Sequence, residues 1–301
     1  MTEQLKTNRT LTWVLVLLAF VVLMLLASIL TSGDKIRGIA PIGMTAVGLI
    51  GVFAVYLLTA KNDAWQVGTR QVVYMAIGAA LYGVFNYLFN VIPMPSVSQV
   101  ALRPSVCIPV FFGYVFGPVV GFFTGAVGNI LSDFAFGWGV YPAWDIGNGL
   151  MGFVPGLVLL FADKKRSLNF LTIVVGVLMA LAVLLVLLNP KVVGPWSGEI
   201  EDFTLWAWVF IVGAAVVIAS RFLLEHYSVD LAAVNLWGTL GIIVGIGFAS
   251  LADIWVNGYS FATAIIGEFA PAAGPNIINS MILTPILLAA YDAIRARVGR
   301  G

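Results

Sequence analysis

The sequence predicts an all-α, polytopic membrane protein, and three observations support this fold class. The chain has 301 residues, of which 61% are hydrophobic and only 10% are charged, whereas a soluble domain carries about 25% charged residues. Several apolar runs reach the roughly 20 residues that a helix needs to cross a bilayer core about 30 Å thick. The first run, residues 11–31, is longer than the core of a signal peptide, which has about 7–15 residues. We therefore interpret it as an uncleaved membrane helix.

The apolar runs predict about ten membrane helices. They cover residues 11–31, 39–60, 69–90, 103–116, 117–137, 145–163, 168–189, 205–224, 231–256 and 275–293. The shortest run, 103–116, contains two prolines and is followed directly by another apolar run. A single helix over both runs would be about 50 Å long, which exceeds the thickness of the bilayer core. We therefore place a break at Gly117-Pro118.

The positions of Lys and Arg predict the orientation, because cytoplasmic loops carry an excess of these residues. With ten helices and a cytoplasmic N-terminus, 11 of them lie inside and 4 outside. Without the Gly117-Pro118 break, everything before it flips and the ratio is 10 to 5, so charge alone does not decide between the two topologies. Both place Lys164-Lys165-Arg166 and the C-terminus in the cytoplasm. The ten-helix topology has outward loops at 32–38, 91–102, 138–144, 190–204 and 257–274, of which we expect 190–204 to be a solvated surface loop.

Composition excludes several classes of function. A net charge of +1 without a basic patch argues against nucleic-acid binding. The single Cys107 excludes an internal disulfide or a cysteine metal cluster, and the single His226 excludes a multi-histidine metal site. The chain has no Walker A, GxSxG or SxxK motif. We therefore expect no metal, no cofactor, no catalytic residues and no intrinsic ATPase.

The run at 117–137 carries a stripe of small and polar residues on one helical face. Gly117, Gly121 and Gly125 recur every four residues, and Asn129 and Asp133 continue the same face. Small residues at this spacing let another helix approach closely. An Asp at membrane depth usually faces a partner or a wet cavity. We predict that Asn129 and Asp133 face a substrate cavity; the alternative is that Asp133 lies at the outer interface.

The next segment concentrates aromatic residues at the outer face. Trp138, Tyr141 and Trp144 are followed by Asp145 and Asn148, which lie one helical turn apart. Such residues form either an aromatic belt at the lipid headgroups or an aromatic pocket with a few polar groups, the usual form of a small-molecule site. We predict that all five line a pocket, and the two interpretations are compatible.

Two further groups of residues have more than one interpretation. Asn276 and Asn279 share one face at the outer end of the last helix, and they either bind a ligand or join helices by hydrogen bonds. Residues 147–152 match GxGxxG, but that motif binds dinucleotides only within a βαβ unit. In a membrane helix its glycines instead favour close helix packing.

Several stretches together resemble the S component of energy-coupling factor (ECF) vitamin transporters. They include Ala101-Leu102-Arg103-Pro104-Ser105 through Phe116-Gly117-Pro118-Val119-Val120-Gly121, and Gly125-Ala126-Val127-Gly128-Asn129. They also include Gly147-Asn148-Gly149-Leu150-Met151-Gly152 with Pro155-Gly156, and Gly274-Pro275-Asn276-Ile277-Ile278-Asn279 through Pro285 and Ala290-Tyr291-Asp292. The order and spacing of these stretches carry the resemblance, which covers roughly 69–163 and 231–297.

The resemblance implies a six-helix core within a membrane domain at 67–301. An N-terminal helical hairpin at 1–66 precedes this domain, and a helix pair within 168–224 is inserted into it. In the family, the S subunit captures a vitamin from outside and works with a membrane T subunit and two cytoplasmic ATPases. The family's AxxxA contact with the T subunit corresponds here to Ala76 and Ala80, and the loop that covers the pocket corresponds to 91–102.

The resemblance further implies a multi-pass protein of a prokaryotic plasma membrane, with both termini in the cytoplasm. Its cargo is a water-soluble vitamin or a related compound. Planar cargo such as a flavin or thiamine would suit stacking on the aromatic residues at 138–144, and we favour a riboflavin-like compound. Two alternatives remain open. One is a membrane scaffold or assembly protein, and the other is an intramembrane enzyme that uses Asp133, Asp145 or Asp253.

Overall fold

The computed structural model describes residues 40–298, and the predicted helix at 11–31 lies outside this part of the chain. We number the helices from the first one described. They are α1 (Ala40–Thr59), α2 (Thr69–Phe89), α3 (Cys107–Phe116), α4 (Pro118–Phe136), α5 (Pro142–Gly156), α6 (Lys164–Leu188), α7 (Thr204–Tyr227), α8 (Val229–Val256) and α9 (Ala270–Val298). Short 3₁₀ turns cover Asp63–Trp65, Pro104–Val106 and Leu157–Leu160, and a π-helical segment, Thr263–Phe269, leads into α9. Strands β1 (Lys191–Val193) and β2 (Ile200–Asp202) pair antiparallel between α6 and α7.

The described part of the chain is a helical bundle that spans a membrane. Eight of its helical segments are long and apolar enough to cross a bilayer, and Pro104–Phe116 is a shorter apolar segment. The predicted break between the two neighbouring runs is confirmed, because α3 ends at Phe116 and Gly117 adopts a φ of 106° before Pro118 opens α4. Glycine takes this conformation without steric cost, and proline suits the first turn of a helix.

The prediction of a loop over 257–274 is wrong from residue 263 onwards. Residues 263–269 form the π-helical segment, and α9 follows without interruption. Prolines are tolerated inside a membrane helix, because π-type adjustments and neighbouring helices satisfy the freed backbone groups, and α9 contains Pro275 and Pro285. Asn276 and Asn279 therefore lie inside a long helix and not at its outer end.

The glycines of α4 and α5 allow these two helices to pack with their backbones in contact. A Cβ atom added to Gly121 would lie 2.1 Å from the carbonyl oxygen of Gly152, and one added to Gly125 would lie 2.0 Å from that of Asn148. Any side chain at these positions would push the helices apart. The predicted role of both glycine patterns in close packing is thus confirmed. The packing also fixes Asn148 relative to α4.

Polar contacts join helices α6 and α7 to each other and to α8 at the end of the bundle opposite to the β-hairpin. Arg221 of α7 is 5% exposed; it donates hydrogen bonds to Thr172 at 3.0 Å and Asn169 at 2.6 Å, and it pairs with Glu225. The Trp237 indole of α8 donates to the Ser167 hydroxyl at 3.0 Å. These buried contacts hold the helix pair, so its β-hairpin has a defined place at the other end.

Candidate functional site

A cavity of about 830 Å³ lies at the end of the bundle where the loops after α2, α4, α6 and α8 meet. Its lining comprises Pro41, Val97, Ser98, Gln99, Val100, Ala101, Arg103, Asp133, Trp138, Tyr141, Trp144, Asn148, Met151, Trp196, Ile246, Val256, Asn257, Tyr259, Ala272 and Asn276. A cavity of this size holds an organic molecule of vitamin size, since ligand pockets span about 300–1,000 Å³.

Five aromatic side chains line the cavity and come from three different loops or helix starts. Trp138, Tyr141 and Trp144 surround the start of α5, and Trp196 and Tyr259 come from the loops after α6 and α8. The rings of Trp196 and Tyr259 meet edge to face with centroids 6.5 Å apart. Such walls offer both stacking faces and ring quadrupoles to a ligand.

The loop after α2 covers the cavity and is fastened to the start of the last helix. The Val97 amide donates to the Gly267 carbonyl at 2.8 Å, and the Ser98 amide donates to Glu268 Oε2 at 2.9 Å. The hydroxyl groups of Ser98 and Tyr259 are 2.9 Å apart. The position of this loop agrees with the cover that the resemblance implies for 91–102.

The β-hairpin between α6 and α7 packs against the same cover. Val192 lies in β1, and Phe203 follows β2. Both pack with Val97, Tyr259 and Ile266 in a small hydrophobic cluster that is separate from the main core. The helix pair at 168–224 thus contributes to the cavity, although the loop at 190–204 was predicted only as a solvated surface loop.

A polar network that reaches the cavity through Arg103 and Asp133 includes two asparagines behind the lining, and we call it the paired wall (Asn90, Arg103, Asn129, Asp133). Within it, Arg103 Nε has no hydrogen-bond partner. Arg103 pairs with Asp133 Oδ1 at 3.0 Å and also donates to Asn129. Asn129 donates to Asp133 Oδ2 at 3.0 Å, and Asn90 donates to Asp133 Oδ1 at 3.3 Å. Every charge in this wall therefore has an opposite charge or an amide beside it, as a buried ion pair requires.

Asp145 and Asn148 extend this network into α5. Asp145 is fully buried and accepts from Asn129 Nδ2 at 2.7 Å, while its Oδ2 atom has no hydrogen-bond partner. Asn148 lines the cavity and accepts from the Tyr82 hydroxyl at 2.5 Å. Asn148 therefore borders the cavity directly, whereas Asp145 lies behind the lining and joins the network through Asn129.

A second polar group, which we call the acidic wall (Asp253, Tyr259, Glu268, Asn276), is built differently. Tyr259 and Asn276 line the cavity, whereas Asp253 and Glu268 lie behind the lining. Asp253 is 1% exposed and accepts from the Trp144 indole at 3.1 Å and from Asn257 at 2.8 Å. Glu268 is fully buried, and its Oε1 atom has no partner. Within residues 40–298, neither carboxylate forms a salt bridge with Lys, Arg or His.

The Tyr259 hydroxyl lies between the two acidic groups and the covering loop. Burial raises the pKa of Tyr259 to about 12, and the nearby carboxylates of Glu268 and Asp253 act in the same direction. The phenol therefore stays protonated at neutral pH and remains able to donate a hydrogen bond.

Asn276 completes the acidic wall, and its orientation is fixed. Its Nδ2 donates to the Ala272 carbonyl at 2.9 Å, which leaves Oδ1 without a partner beside the cavity. The Ala272 carbonyl can only accept a hydrogen bond, so the Asn276 atom that contacts it is the amide nitrogen. The unpartnered atom of Asn276 is therefore the oxygen, which is an acceptor.

The structure brings together six of the nine predicted substrate-binding residues. Asp133, Trp138, Tyr141, Trp144, Asn148 and Asn276 line the cavity. Asn129 and Asp145 lie behind it in the polar network, and half-buried Asn279 lies outside its lining. Ala76 and Ala80 are exposed on α2 and take no part in the cavity.

Sequence reasoning missed three contributors to the site. Arg103 was counted for membrane orientation and stands in one of the stretches that carry the resemblance, but it was not predicted as a residue of the site. Residues 97–101 were expected to cover the pocket, but no side chain there was singled out. The sequence did not indicate a role for Trp196, because a single aromatic residue in a polar loop belongs to no helical or strand pattern. Among residues 40–298, no group of three or more His, Cys, Asp or Glu side chains is suited to a metal.

Comparison with known proteins agrees with this architecture. A family model described as "ECF-type riboflavin transporter, S component" matches residues 66–190. A UPF0397 protein of Vibrio atlanticus (strain LGP32) is 35% identical over 142 residues, which cover 47% of this chain and 74% of the relative. No solved structure matches the chain.

Two further UPF0397 relatives match over shorter segments. One from Aliivibrio salmonicida (strain LFI1238) is 33% identical over 33% of this chain and 54% of its own length. One from Aliivibrio fischeri (strain MJ11) is 35% identical over 36% of this chain and 63% of its own length. The matches thus span about half to two thirds of these two relatives. From the family match and the Vibrio relative, we conclude that this chain belongs to the S component family of ECF-type riboflavin transporters.

Proposed function

We propose that this protein is the substrate-specificity subunit of an ECF-type ABC transporter and captures a water-soluble vitamin or related small molecule for ATP-driven uptake. The observation that carries the proposal is the cavity of about 830 Å³, lined by aromatic and amide side chains and covered by the loop after α2. A scaffold whose polar residues only join helices has no need of such a chamber. The family's identity as a transporter component also argues against the intramembrane-enzyme alternative.

We place the cavity on the outer side of the plasma membrane. The opposite end of the bundle carries Lys164, Lys165 and Arg166 at the start of α6 and Arg295 and Arg297 near the end of α9. The excess of Lys and Arg marks the cytoplasmic side. The C-terminus is then cytoplasmic, and the substrate enters from outside.

The proposed partners are a membrane T subunit and cytoplasmic ATPase subunits. The exposed residues Ala76 and Ala80 on α2 are our candidates for the T-subunit contact, because small residues four apart let a partner helix approach closely. They lie outside the cavity lining. Replacing both with Leu should therefore abolish assembly with the T subunit and leave ligand binding intact.

The proposed cargo carries a planar ring system. The side chains of Trp138, Tyr141 and Trp144 lie at the start of α5 and reach the cavity together, so a flat ligand can stack on them. The family description keeps riboflavin among the candidates.

Native mass spectrometry of protein purified in mild detergent tests the proposal. We expect one small molecule per chain, either retained from the cell or bound from a panel that contains riboflavin and thiamine. The Asn148→Ala variant should weaken binding, because Asn148 lines the cavity. A folded protein that retains nothing and that no panel member stabilises would instead favour the scaffold interpretation.

A further inference from the structure

We infer that the cavity selects organic cations, that is, planar compounds with a quaternary ring nitrogen or a protonated amine, and that the acidic wall supplies this selectivity. The inference rests on the proposed function and adds the charge of the substrate to it. Three features of the cavity support it.

The first feature is the balance of charge around the cavity. Four buried carboxyl groups lie in or directly behind its lining: Asp133 lines the cavity, Asp145 accepts from Asn129, Asp253 accepts from the lining residues Trp144 and Asn257, and Glu268 accepts from the lining residue Ser98. Within the described residues, Arg103 is the one cationic side chain in the lining, and Asp133 already neutralises it. A cationic ligand would supply the charge that the acidic wall lacks, whereas an anionic ligand would meet uncompensated repulsion.

The second feature is a set of acceptors without donors. Glu268 Oε1 and Asn276 Oδ1 are both buried and unpartnered, and Asn276 faces the cavity. Asn276 is 7% exposed and Glu268 is 0% exposed. An unpaired buried acceptor is costly, and we expect Asn276 Oδ1, which belongs to a lining residue, to accept from a donor of the ligand, whereas Glu268 acts from behind the lining. An ammonium or ring-amine group provides such donors together with the positive charge.

The third feature is the aromatic lining. Aromatic faces attract cations, most strongly when water is excluded. Trp144 donates its indole N–H to Asp253 Oδ2 at 3.1 Å, so a negative charge lies at the edge of this ring. That arrangement increases the electron density of the ring face towards the cavity. Trp196 and Tyr259 add two further faces beside the acidic wall.

Matched pairs of compounds test the inference. Isothermal titration calorimetry on the full-length protein in detergent would compare thiamine with thiochrome, its neutral fused-ring analogue, and 1-methylnicotinamide with nicotinamide. Riboflavin serves as the neutral flavin. We expect the cationic member of at least one pair to bind tenfold or more tightly than its neutral counterpart, with one site per chain.

Two charge-neutralising variants localise the effect. We expect Asp253→Asn and Glu268→Gln each to lower the affinity for the cation about tenfold, because each removes a carboxyl group whose ionised form a bound cation would stabilise. Melting temperatures of the two variants without ligand serve as the check that they remain folded. Asp202→Asn is the matched control, since Asp202 is an exposed carboxylate on the β-hairpin and outside the lining; it should leave the affinity unchanged.

The outcomes separate this inference from the proposed function. If riboflavin or another neutral compound binds more tightly than every cation, the cation inference is wrong and the S-component function stands. If cations bind but both acidic-wall variants bind them as well as the natural protein does, the acidic wall does not supply the selectivity. If the folded protein binds none of the compounds, both proposals fail.

Discussion

The paired wall and the acidic wall both border one cavity, and they differ in how buried charge is compensated. In the paired wall, Asp133 meets a guanidinium at 3.0 Å and two amides. In the acidic wall, the fully buried Glu268 receives one backbone N–H and leaves its second oxygen unpartnered. The first arrangement compensates its buried charge without a ligand, whereas within residues 40–298 the carboxyl groups of the second have no cation beside them.

This difference indicates which wall maintains the fold and which wall binds. A buried ion pair with satisfied hydrogen bonds is strongly destabilised when one partner is removed. A buried carboxyl group without a counter-charge is instead costly to ionise, and a cationic ligand can relieve that cost. We therefore expect variants of the paired wall to change stability first and variants of the acidic wall to change binding first.

The largest expected effect is that of Asp133→Asn on the ligand-free protein. The change leaves Arg103 buried at 13% side-chain exposure without its counter-charge. Loss of one partner from a buried pair costs about 3–5 kcal/mol, so the melting temperature in detergent should fall steeply. The double variant Arg103→Met/Asp133→Leu should recover most of the loss. A double variant as unstable as the single one would show that the charge imbalance is not the cause.

Glu268→Gln is the matched change on the acidic wall and should behave oppositely. The amide retains an acceptor for the Ser98 N–H, and burial of a neutral amide costs less than burial of a carboxylate. We expect the ligand-free free energy of unfolding to stay within about 1 kcal/mol of the natural protein or to rise. A loss as large as that of Asp133→Asn would contradict the distinction between the two walls.

Trp196→Ala should alter binding with little effect on stability. Trp196 is 73% exposed yet lines the cavity and meets Tyr259 edge to face. Loss of one aromatic face should weaken ligand binding about tenfold at most, within the usual range for a cation–π or stacking contact. Trp255→Ala, at a 62% exposed tryptophan outside the lining, is the control. Equal effects of the two changes would exclude a specific role for the hairpin.

The smallest expected effect concerns acid stability of the β-hairpin. Hydrogen bonds from Thr204, followed by the ammonium of Lys191, lower the pKa of Asp202 from 3.8 to about 2. A depressed folded-state pKa stabilises the protein above the unfolded-state pKa, and this contribution disappears as pH falls through the folded-state value. The difference in melting temperature between the natural protein and Asp202→Asn should therefore shrink between pH 4 and pH 2. If this difference in melting temperature does not depend on pH, packing of the Asp202 side chain and not its charge is the cause.

The residues of the site that could be predicted from the sequence are those that lie close together along the chain. Asn129 and Asp133 continue a glycine stripe on one helix, and Trp138 to Asn148 lie within a few residues of one another, so a local pattern brought them to attention. The ion pair of Arg103 with Asp133 joins residues 30 positions apart. The contact of Ser98 with Glu268 joins residues 170 positions apart. No local pattern contains such pairs.

The last helix shows how tertiary context overrides a local expectation. Its first residues were predicted as loop, whereas neighbouring helices allow the chain to continue through a π-helical segment. This continuation matters for the site, because it places Glu268 beneath the covering loop and turns Asn276 towards the cavity.

The sequence by itself determined the class of this protein, its succession of apolar helices from residue 39 to 293 and the break at Gly117-Pro118. These properties depend on composition, on run length and on the conformations of glycine and proline, all of which are local. The tertiary structure alone decided that Arg103 neutralises Asp133, that no cation within residues 40–298 pairs with Glu268, and that the inserted hairpin contributes Trp196 to the cavity. Charge compensation in a low-dielectric interior depends on which side chains meet across helices, and that is a property of the packed bundle.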